Sequence, residues 1–141
     1  MYLNIRKAVM FCTAVFLSLS MLNTSVLAQG NEKVFELRTY TATPGNLDKL
    51  LTRFRDHTMR IFEKHGMTNI AYWTPTDETE AENTLIYILA HESREQADKS
   101  WQAFSQDPEW QQVSENSNAG GAILESVVRK YMTTTDFSPM K

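Results

Sequence analysis

Residues 84–91 read TLIYILAH, and this stretch decides the fold. Six consecutive residues, Leu85 to Ala90, are apolar, and several are β-branched or aromatic, which predicts a strand. A strand that is covered on one face alternates apolar and polar residues, whereas an uninterrupted apolar run is typical of a strand buried on both faces. The sheet that contains this strand is therefore expected to be covered on both sides.

A second strand is predicted at residues 34–41, VFELRTYT, which alternate in character. Because successive side chains of a strand point to opposite faces, Glu36, Arg38 and Tyr40 share one face of it. Burying charged and polar groups on a covered face costs free energy unless the groups are paired. We therefore expect these three side chains either to have polar partners or to take part in function.

Two further strands complete the set. Residues 68–75 (TNIAYWTP) and 122–132 (AILESVVRKYM) have the composition of strands. The polar stretch at 77–83 lies between the first of these and the apolar strand at 84–91, which predicts a hairpin.

The remaining segments have helical spacing. Apolar residues recur every three or four positions over 47–65, with Arg53 among the charged residues outside the apolar stripe. Gly66 follows in the position favoured for a left-handed C-cap. Ser93 with Gln96 three residues later predicts a capping box, and Asp107 followed by a proline predicts the start of another helix.

The order strand, helix, two strands, helix, strand predicts an α+β fold of the ferredoxin-like βαββαβ type. This fold has a four-stranded antiparallel sheet with helices on one face. The other face would carry half of the apolar 84–91 strand, and soluble monomers avoid apolar patches of that size. We therefore expect a homodimer in which two sheets face each other, a dimeric α+β barrel.

Residues 1–28 are predicted to be a signal peptide. Arg6 and Lys7 precede a 15-residue apolar run, and small residues end at Ala28, where we place cleavage. The run is shorter than the about 20 apolar residues of a membrane span, although an uncleaved anchor is the alternative. Loss of Arg6 and Lys7 changes the formal net charge from −3 to −5. The protein is expected to be exported, periplasmic or secreted, with no stable membrane anchor after leader removal.

The composition restricts the classes of function. The chain has 141 residues, of which 42% are hydrophobic and 22% charged, which fits one domain at 34–133 between short tails at 29–33 and 134–141. The acidic balance argues against nucleic acid as a partner. The one cysteine, Cys12, lies in the predicted leader, so the mature chain has no thiol for a disulfide or for catalysis.

The three histidines do not form a metal motif. His57 and His65 lie eight residues apart on one helix, about 12 Å along its axis, and cannot chelate one ion together. We therefore expect no metal site and no cofactor. His65 is placed to interact with the end of its helix, His57 is a half-buried side chain or points into a cleft, and His91 closes its strand.

Two interpretations of the charged face remain open. Glu36 and Arg38 form a ladder or pair with Glu125 or Arg129, which is a structural role. Alternatively, Arg38 holds an anionic ligand while Glu36 or Tyr40 moves a proton. No serine-histidine-aspartate signature, phosphate-binding loop or dinucleotide fingerprint is present, so the catalytic residues are unknown. The candidates for proton transfer are His57, His65, Tyr40 and Arg38.

Aromatic residues are numerous for a domain of this size. They pack a core or line a small hydrophobic pocket, and the sequence alone does not separate the two uses. The residues predicted to bind a ligand are Arg38, Tyr40, His57, Tyr72, Trp73, Tyr87 and Trp101.

Four segments together resemble the NIPSNAP family: 35–58, 62–73, 85–93 and 104–110. They contain ELRTY, a Pro-Gly after the first strand, a His-Gly that closes the helix, a tyrosine-bearing strand and the run FSQDPEW, in the expected order. The resemblance spans roughly residues 34–132 and implies a dimeric α+β barrel. It brings no shared catalytic residues.

The resemblance implies interaction partners in mitochondria and vesicles for the eukaryotic members, whereas the predicted leader and the single domain indicate an exported bacterial version. The first hypothesis is a non-catalytic homodimeric binding protein with an aromatic-lined cleft for a small hydrophobic ligand. The alternative is an enzyme similar to the cofactor-free oxygenases and isomerases that share the barrel.

Overall fold

The computed structural model describes residues 33–140, so the predicted signal peptide and most of the N-terminal tail lie outside the described residues. The first helical segment is interrupted by a π-helical turn at Phe54–Thr58. The elements in chain order are β1 (Val34–Ala42), α1 (Leu47–Arg53), the π turn, α2 (Met59–Lys64), β2 (Thr68–Trp73), β3 (Thr84–His91), α3 (Arg94–Gln106), α4 (Pro108–Asn118) and β4 (Leu124–Met132).

The four strands form one antiparallel sheet in the order β2-β3-β1-β4. This is the strand order of the ferredoxin-like fold, and the predicted α+β class is confirmed. The apolar strand β3 and the charged strand β1 occupy the two central positions. Their register pairs Glu36 with Leu89, Arg38 with Tyr87 and Tyr40 with Leu85 on one face of the sheet.

The helix boundaries follow the predicted capping signals. The Ser93 side chain accepts a hydrogen bond from the Gln96 backbone N–H at 3.1 Å, which satisfies an otherwise unpaired donor in the first turn of α3. Asp107 accepts from the backbone N–H of Glu109 at 2.8 Å and caps α4 in the same way. Gly66 ends α2 with a φ of 74°, a conformation that is strained for residues with a side chain.

The helices cover one face of the sheet. Between them lies a core in which Leu50, Ile61, Phe62, Tyr87 and Leu89 are at most 1% exposed. Burial of each large side chain stabilises the fold by about 1.5–3 kcal/mol relative to exposure. The helix-covered face of the sheet is therefore buried within one chain at β1 and β3, whereas Val127 of β4 is 42% exposed there.

The other face of the sheet, which we call the open face, is only partly covered. Ile86 and Ile88 of β3 are half-buried there, while Trp73 of β2 is 50% exposed and Val128 of β4 is 61% exposed. Only the end near Phe35 is covered, where Phe35 lines a shallow pocket with Met140 of the C-terminal tail. The expected full burial of β3 is thus not reached within a single chain.

Candidate functional site

Glu36 is the centre of a buried polar network on the helix-covered face. Its carboxylate is fully buried and accepts hydrogen bonds from three side chains: Arg38 Nη1 at 3.0 Å, His91 Nε2 at 3.0 Å and Trp101 Nε1 at 2.6 Å. The alternation of β1 and β3 places the first two donors, and α3 supplies the indole. Both oxygens of the carboxylate therefore accept hydrogen bonds from inside the protein.

These partners control the charge of Glu36. Burial alone would raise the pKa of its carboxyl, yet the hydrogen bonds from His91 and Trp101 and the charge of Arg38 leave that pKa below its ordinary value. Burial would lower the pKa of Arg38, but the nearby oxygens of Tyr40, Tyr87 and Glu36 leave it raised. Both groups are accordingly ionised at neutral pH.

Aromatic rings enclose the Arg38 guanidinium. Its carbon lies 4.0 Å from the centre of the Trp101 ring and 5.4 Å from the centre of the Tyr40 ring. Such cation–π contacts, with the Glu36 ion pair, satisfy most of this buried charge. The Glu36–Arg38 ladder is present as expected for the structural interpretation, whereas Glu125 and Arg129 are exposed on β4.

A cluster of rings continues from Arg38 along the sheet. Tyr87 stacks on Tyr72 with ring centres 5.2 Å apart and meets the ring edges of Tyr40 at 5.3 Å and of Phe54 at 5.1 Å. Burial raises the pKa values of the Tyr72 and Tyr87 hydroxyls, which therefore stay protonated. Five of the seven residues predicted to bind a ligand (Arg38, Tyr40, Tyr72, Tyr87 and Trp101) lie in this region.

Beyond Tyr40 the packing leaves a cavity of about 150 Å³ between the sheet, the π turn and α4, which we call the aromatic cavity. Tyr40, Phe54 and Trp110 are among the rings that line it. Its remaining lining residues are Arg53, Phe62, Phe104, Ser114, Asn118, Ala122 and Leu124.

Arg53 is the charged residue of the aromatic cavity. It is 5% exposed, its Nη1 donates to the Ser117 hydroxyl at 3.2 Å, and its guanidinium carbon lies 5.3 Å from the centre of the Trp110 ring. Its Nε is buried without a hydrogen-bond partner, and none of the ion pairs among residues 33–140 includes it. Burial lowers the pKa of Arg53, and the neighbouring Tyr40 and Tyr87 only partly oppose this.

Arg53 also lines a second depression, on the outer side of the helices, with a volume of about 270 Å³. We call this depression the basic groove. Lys49 and His57 are both exposed along it, and no carboxylate of the described chain is among its lining residues. Thr52, Val113, Asn116 and Ser117 complete the lining.

The structure separates the remaining predicted residues. His57 lies in the basic groove, and among the described residues no tyrosine or tryptophan lines that groove. Trp73 lies on the open face. His65 Nε2 contacts the Asp107 carboxylate at 2.6 Å, as does Lys64 Nζ at 2.7 Å. The hydrogen bonds from Lys64 and His65 hold the pKa of Asp107 far below its ordinary value. This junction joins the end of α2 to the start of α4.

Sequence reasoning missed three residues of this region: His91, Arg53 and Trp110. A signal existed for His91, because it lies two residues after Leu89 and four after Tyr87 on the same strand and so shares their face. The placement of Arg53 outside the apolar stripe does not describe its environment, since α4 packs over that flank and buries it. The π turn begins directly after Arg53, and Thr58 Oγ1 donates to the Arg53 carbonyl at 3.1 Å within it.

Residues 33–140 contain no candidate metal cluster and no candidate membrane span. No group of three or more acidic, histidine or cysteine side chains there could hold an ion. None of the helices in the same range has the length and apolar character needed to cross a bilayer.

The model of the NIPSNAP family matches residues 35–139. The chain belongs to the NIPSNAP family. Two solved NIPSNAP structures are similar to it: a NIPSNAP-like domain protein from Burkholderia xenovorans (18% identity, TM-score 0.66, 77% of this chain and 90% of that one) and a NIPSNAP family protein of unknown function from Agrobacterium tumefaciens (22% identity, TM-score 0.67, 79% and 96%).

A more distant likeness is to SnoaB, a cofactor-independent oxygenase from Streptomyces nogalater. The identity is 11% and the TM-score 0.51, over 77% of this chain and 98% of SnoaB. At this distance the likeness concerns the fold alone, which SnoaB and the NIPSNAP domain share. No curated protein matches the chain.

Proposed function

We propose that this NIPSNAP domain is an exported, homodimeric binding protein for a small apolar molecule, which it holds in the aromatic cavity. The cavity itself carries the proposal. Its space of about 150 Å³ opens to the surface at Ala122 and has aromatic walls that continue the core, so a small apolar molecule could enter it and contact the rings. A cavity of about this size accommodates one benzene ring.

The polar network around Glu36 has a structural role, because the Glu36 carboxylate is fully buried and accepts hydrogen bonds from Arg38, His91 and Trp101. The aromatic cavity combines apolar walls with a few polar groups, Arg53, Ser114 and Asn118, and that combination is typical of small-molecule sites.

The open face supports the homodimer. Ile86, Ile88, Trp73 and Val128 together would leave an apolar surface in water, and a second copy of the same face would cover it. Export rests on the predicted signal peptide. The enzymatic alternative gains no support from the histidines, because neither His57 nor His65 lines the aromatic cavity, and Tyr40 is the one predicted proton-transfer residue that does.

Blocking the cavity tests the proposal. Ala122 is an exposed residue that lines the cavity, so Ala122→Phe should fill it while disturbing little of the core. Toluene added to the purified protein should shift the NMR signal of the Trp110 indole N–H in the wild type but not in Ala122→Phe. Ala119→Phe, at an exposed position that does not line the cavity, is the matched control and should bind toluene like the wild type. An unchanged Trp110 signal in the wild type would contradict the proposed function.

A further inference from the structure

We propose that the aromatic cavity and the basic groove form one binding site for a small monocarboxylate, with the carboxylate on Arg53 and the apolar body among the rings. This inference rests on the proposed function and names its ligand class. It begins from a geometric fact: Arg53 lines both spaces, so its guanidinium lies where the apolar cavity meets the basic groove.

The hydrogen-bonding state of Arg53 points to a missing partner. A guanidinium carries five N–H donors, and one of them, on Nη1, bonds to the Ser117 hydroxyl. The Nε donor is buried and unbonded. Buried donors are almost always paired in native proteins, so this donor fits a ligand acceptor. The Nε of Arg38 is likewise buried and unbonded, and what distinguishes Arg53 is that it has no ion-pair partner among residues 33–140.

The charge of Arg53 points to an anion. A charge that is withdrawn from water is costly unless an opposite charge lies beside it. Arg38, the other arginine that reaches the ring cluster, has Glu36 at 3.0 Å, whereas Arg53 has no such carboxylate among residues 33–140. A bound carboxylate would supply the counter-charge, and its two oxygens fit the planar fork of an arginine.

The basic groove provides a path by which an anionic ligand can reach Arg53. Lys49 and His57 line it together with Arg53, and its lining has no acidic side chain in the described part of the chain. The whole protein carries a net charge of −3, so the lining of the groove is opposite in sign to the net charge of the chain. Clefts lined by one sign of charge raise the local concentration of oppositely charged ligands.

The apolar walls restrict the ligand further. Phe54, Phe62, Phe104 and Trp110 surround a space of about one benzene ring, which suits an aromatic ring or a short aliphatic chain. A doubly charged phosphate ester would leave one charge uncompensated against these rings. A monocarboxylate matches one arginine in charge and one ring in volume.

Benzoate and its neutral isostere benzamide provide the test, with binding measured by calorimetry and by the NMR shift of the Trp110 indole. We expect benzoate to bind about 10- to 100-fold more tightly than benzamide. Arg53→Met should remove that preference, because it should weaken the binding of benzoate and leave the affinity for benzamide unchanged. Arg55→Met, at an exposed position two residues away that lines neither space, is the control and should retain the preference.

The outcomes separate this inference from the proposed function. Equal binding of benzoate and benzamide in the cavity would overturn the carboxylate site and leave the apolar binding function standing. Failure of toluene, benzamide and benzoate alike would overturn both. If Arg53→Met does not fold, Arg53→Lys gives the answer, since it keeps the charge and loses the fork. Arg53→Lys should weaken the binding of benzoate several-fold and leave the affinity for benzamide unchanged. Equal losses of affinity for both ligands would show that Arg53 has only a structural role.

Discussion

Arg38 and Arg53 are both buried, both near Tyr40 and Tyr87, and both stacked on a tryptophan, but they differ in their polar partners. Arg38 has Glu36 at 3.0 Å, and Glu36 has two further donors. Arg53 has one hydroxyl and a cavity. Two buried arginines of one chain therefore have different roles. Arg38 stabilises the fold because Glu36 supplies its counter-charge, whereas Arg53 lacks a counter-charge and is proposed to bind a ligand.

The two faces of the sheet repeat this contrast with apolar groups. The helix-covered face buries its core side chains within one chain, whereas the open face leaves Ile86, Ile88 and Val128 partly in water. An exposed apolar surface is stabilised when a second apolar surface covers it, just as a buried cation is stabilised when an anion binds beside it. Substitutions at Glu36, Arg53 and β4, and a change of pH, test these two differences.

The largest effect is expected from Glu36→Gln. This change leaves Arg38 as a buried cation without its counter-charge, which should lower the free energy of unfolding by about 3 kcal/mol. Arg53→Met should lower it by less than about 1 kcal/mol, because the change removes a charge that has no internal ion pair. Urea unfolding of the two variants measures the difference. Equal losses would mean that the two arginines have the same role.

A smaller effect is expected on the proposed dimer from substitutions at two neighbouring valines of β4. Val128 shares the open face with Thr39, while Val127 pairs with Tyr40 on the helix-covered face. Val128→Lys should raise the dimer dissociation constant at least about tenfold, because a charge enters the apolar interface. Val127→Lys introduces the same charge on the other face, where it is 42% exposed, and should leave the constant unchanged. Sedimentation velocity distinguishes these outcomes, and a monomeric wild type would contradict the dimer.

The smallest effect is expected from pH. The pKa of Glu36 is lowered in the folded protein, so its contribution to stability is full above the ordinary pKa of 4.5 and is lost as the pH falls through the folded value. The difference in unfolding free energy between the wild type and Glu36→Gln should therefore be smaller at about pH 3 than at about pH 7. Asp107 and Glu109 also have lowered pKa values but are present in both proteins, so they cancel. A difference that grows on acidification would contradict the role of the Glu36 charge.

Much of the fold was predictable because its signals are local. The parity of β1 and β3, the caps at Ser93 and Asp107 and the glycine after α2 depend on residues a few positions apart. The strand β2 ends at Trp73, two residues before the predicted end, and β4 begins at Leu124, two residues after the predicted start. Strand ends depend on pairing across the sheet, which local patterns do not specify.

The candidate site was predictable only in part. Alternation put Glu36, Arg38 and Tyr40 on one face, and the pairing of Glu36 with Arg38 follows from their spacing of two residues. The π turn was not predicted, because the apolar residues over 47–65 keep the three- and four-residue spacing of a regular α-helix and so give no sign of an interruption.

The order of the elements, the apolar character of β3 and the family can be read from the chain alone, because periodicity, caps and short motifs are properties of neighbouring residues. The burial of Arg53, its contact with Trp110 and the cavity beside them arise from packing between distant segments. The contact of Arg53 with Ser117 joins residues 64 positions apart, and such a contact exists only after α4 has packed across α1. The charge that is left unpaired there arises from packing, since no local pattern in the chain encodes what α4 will cover.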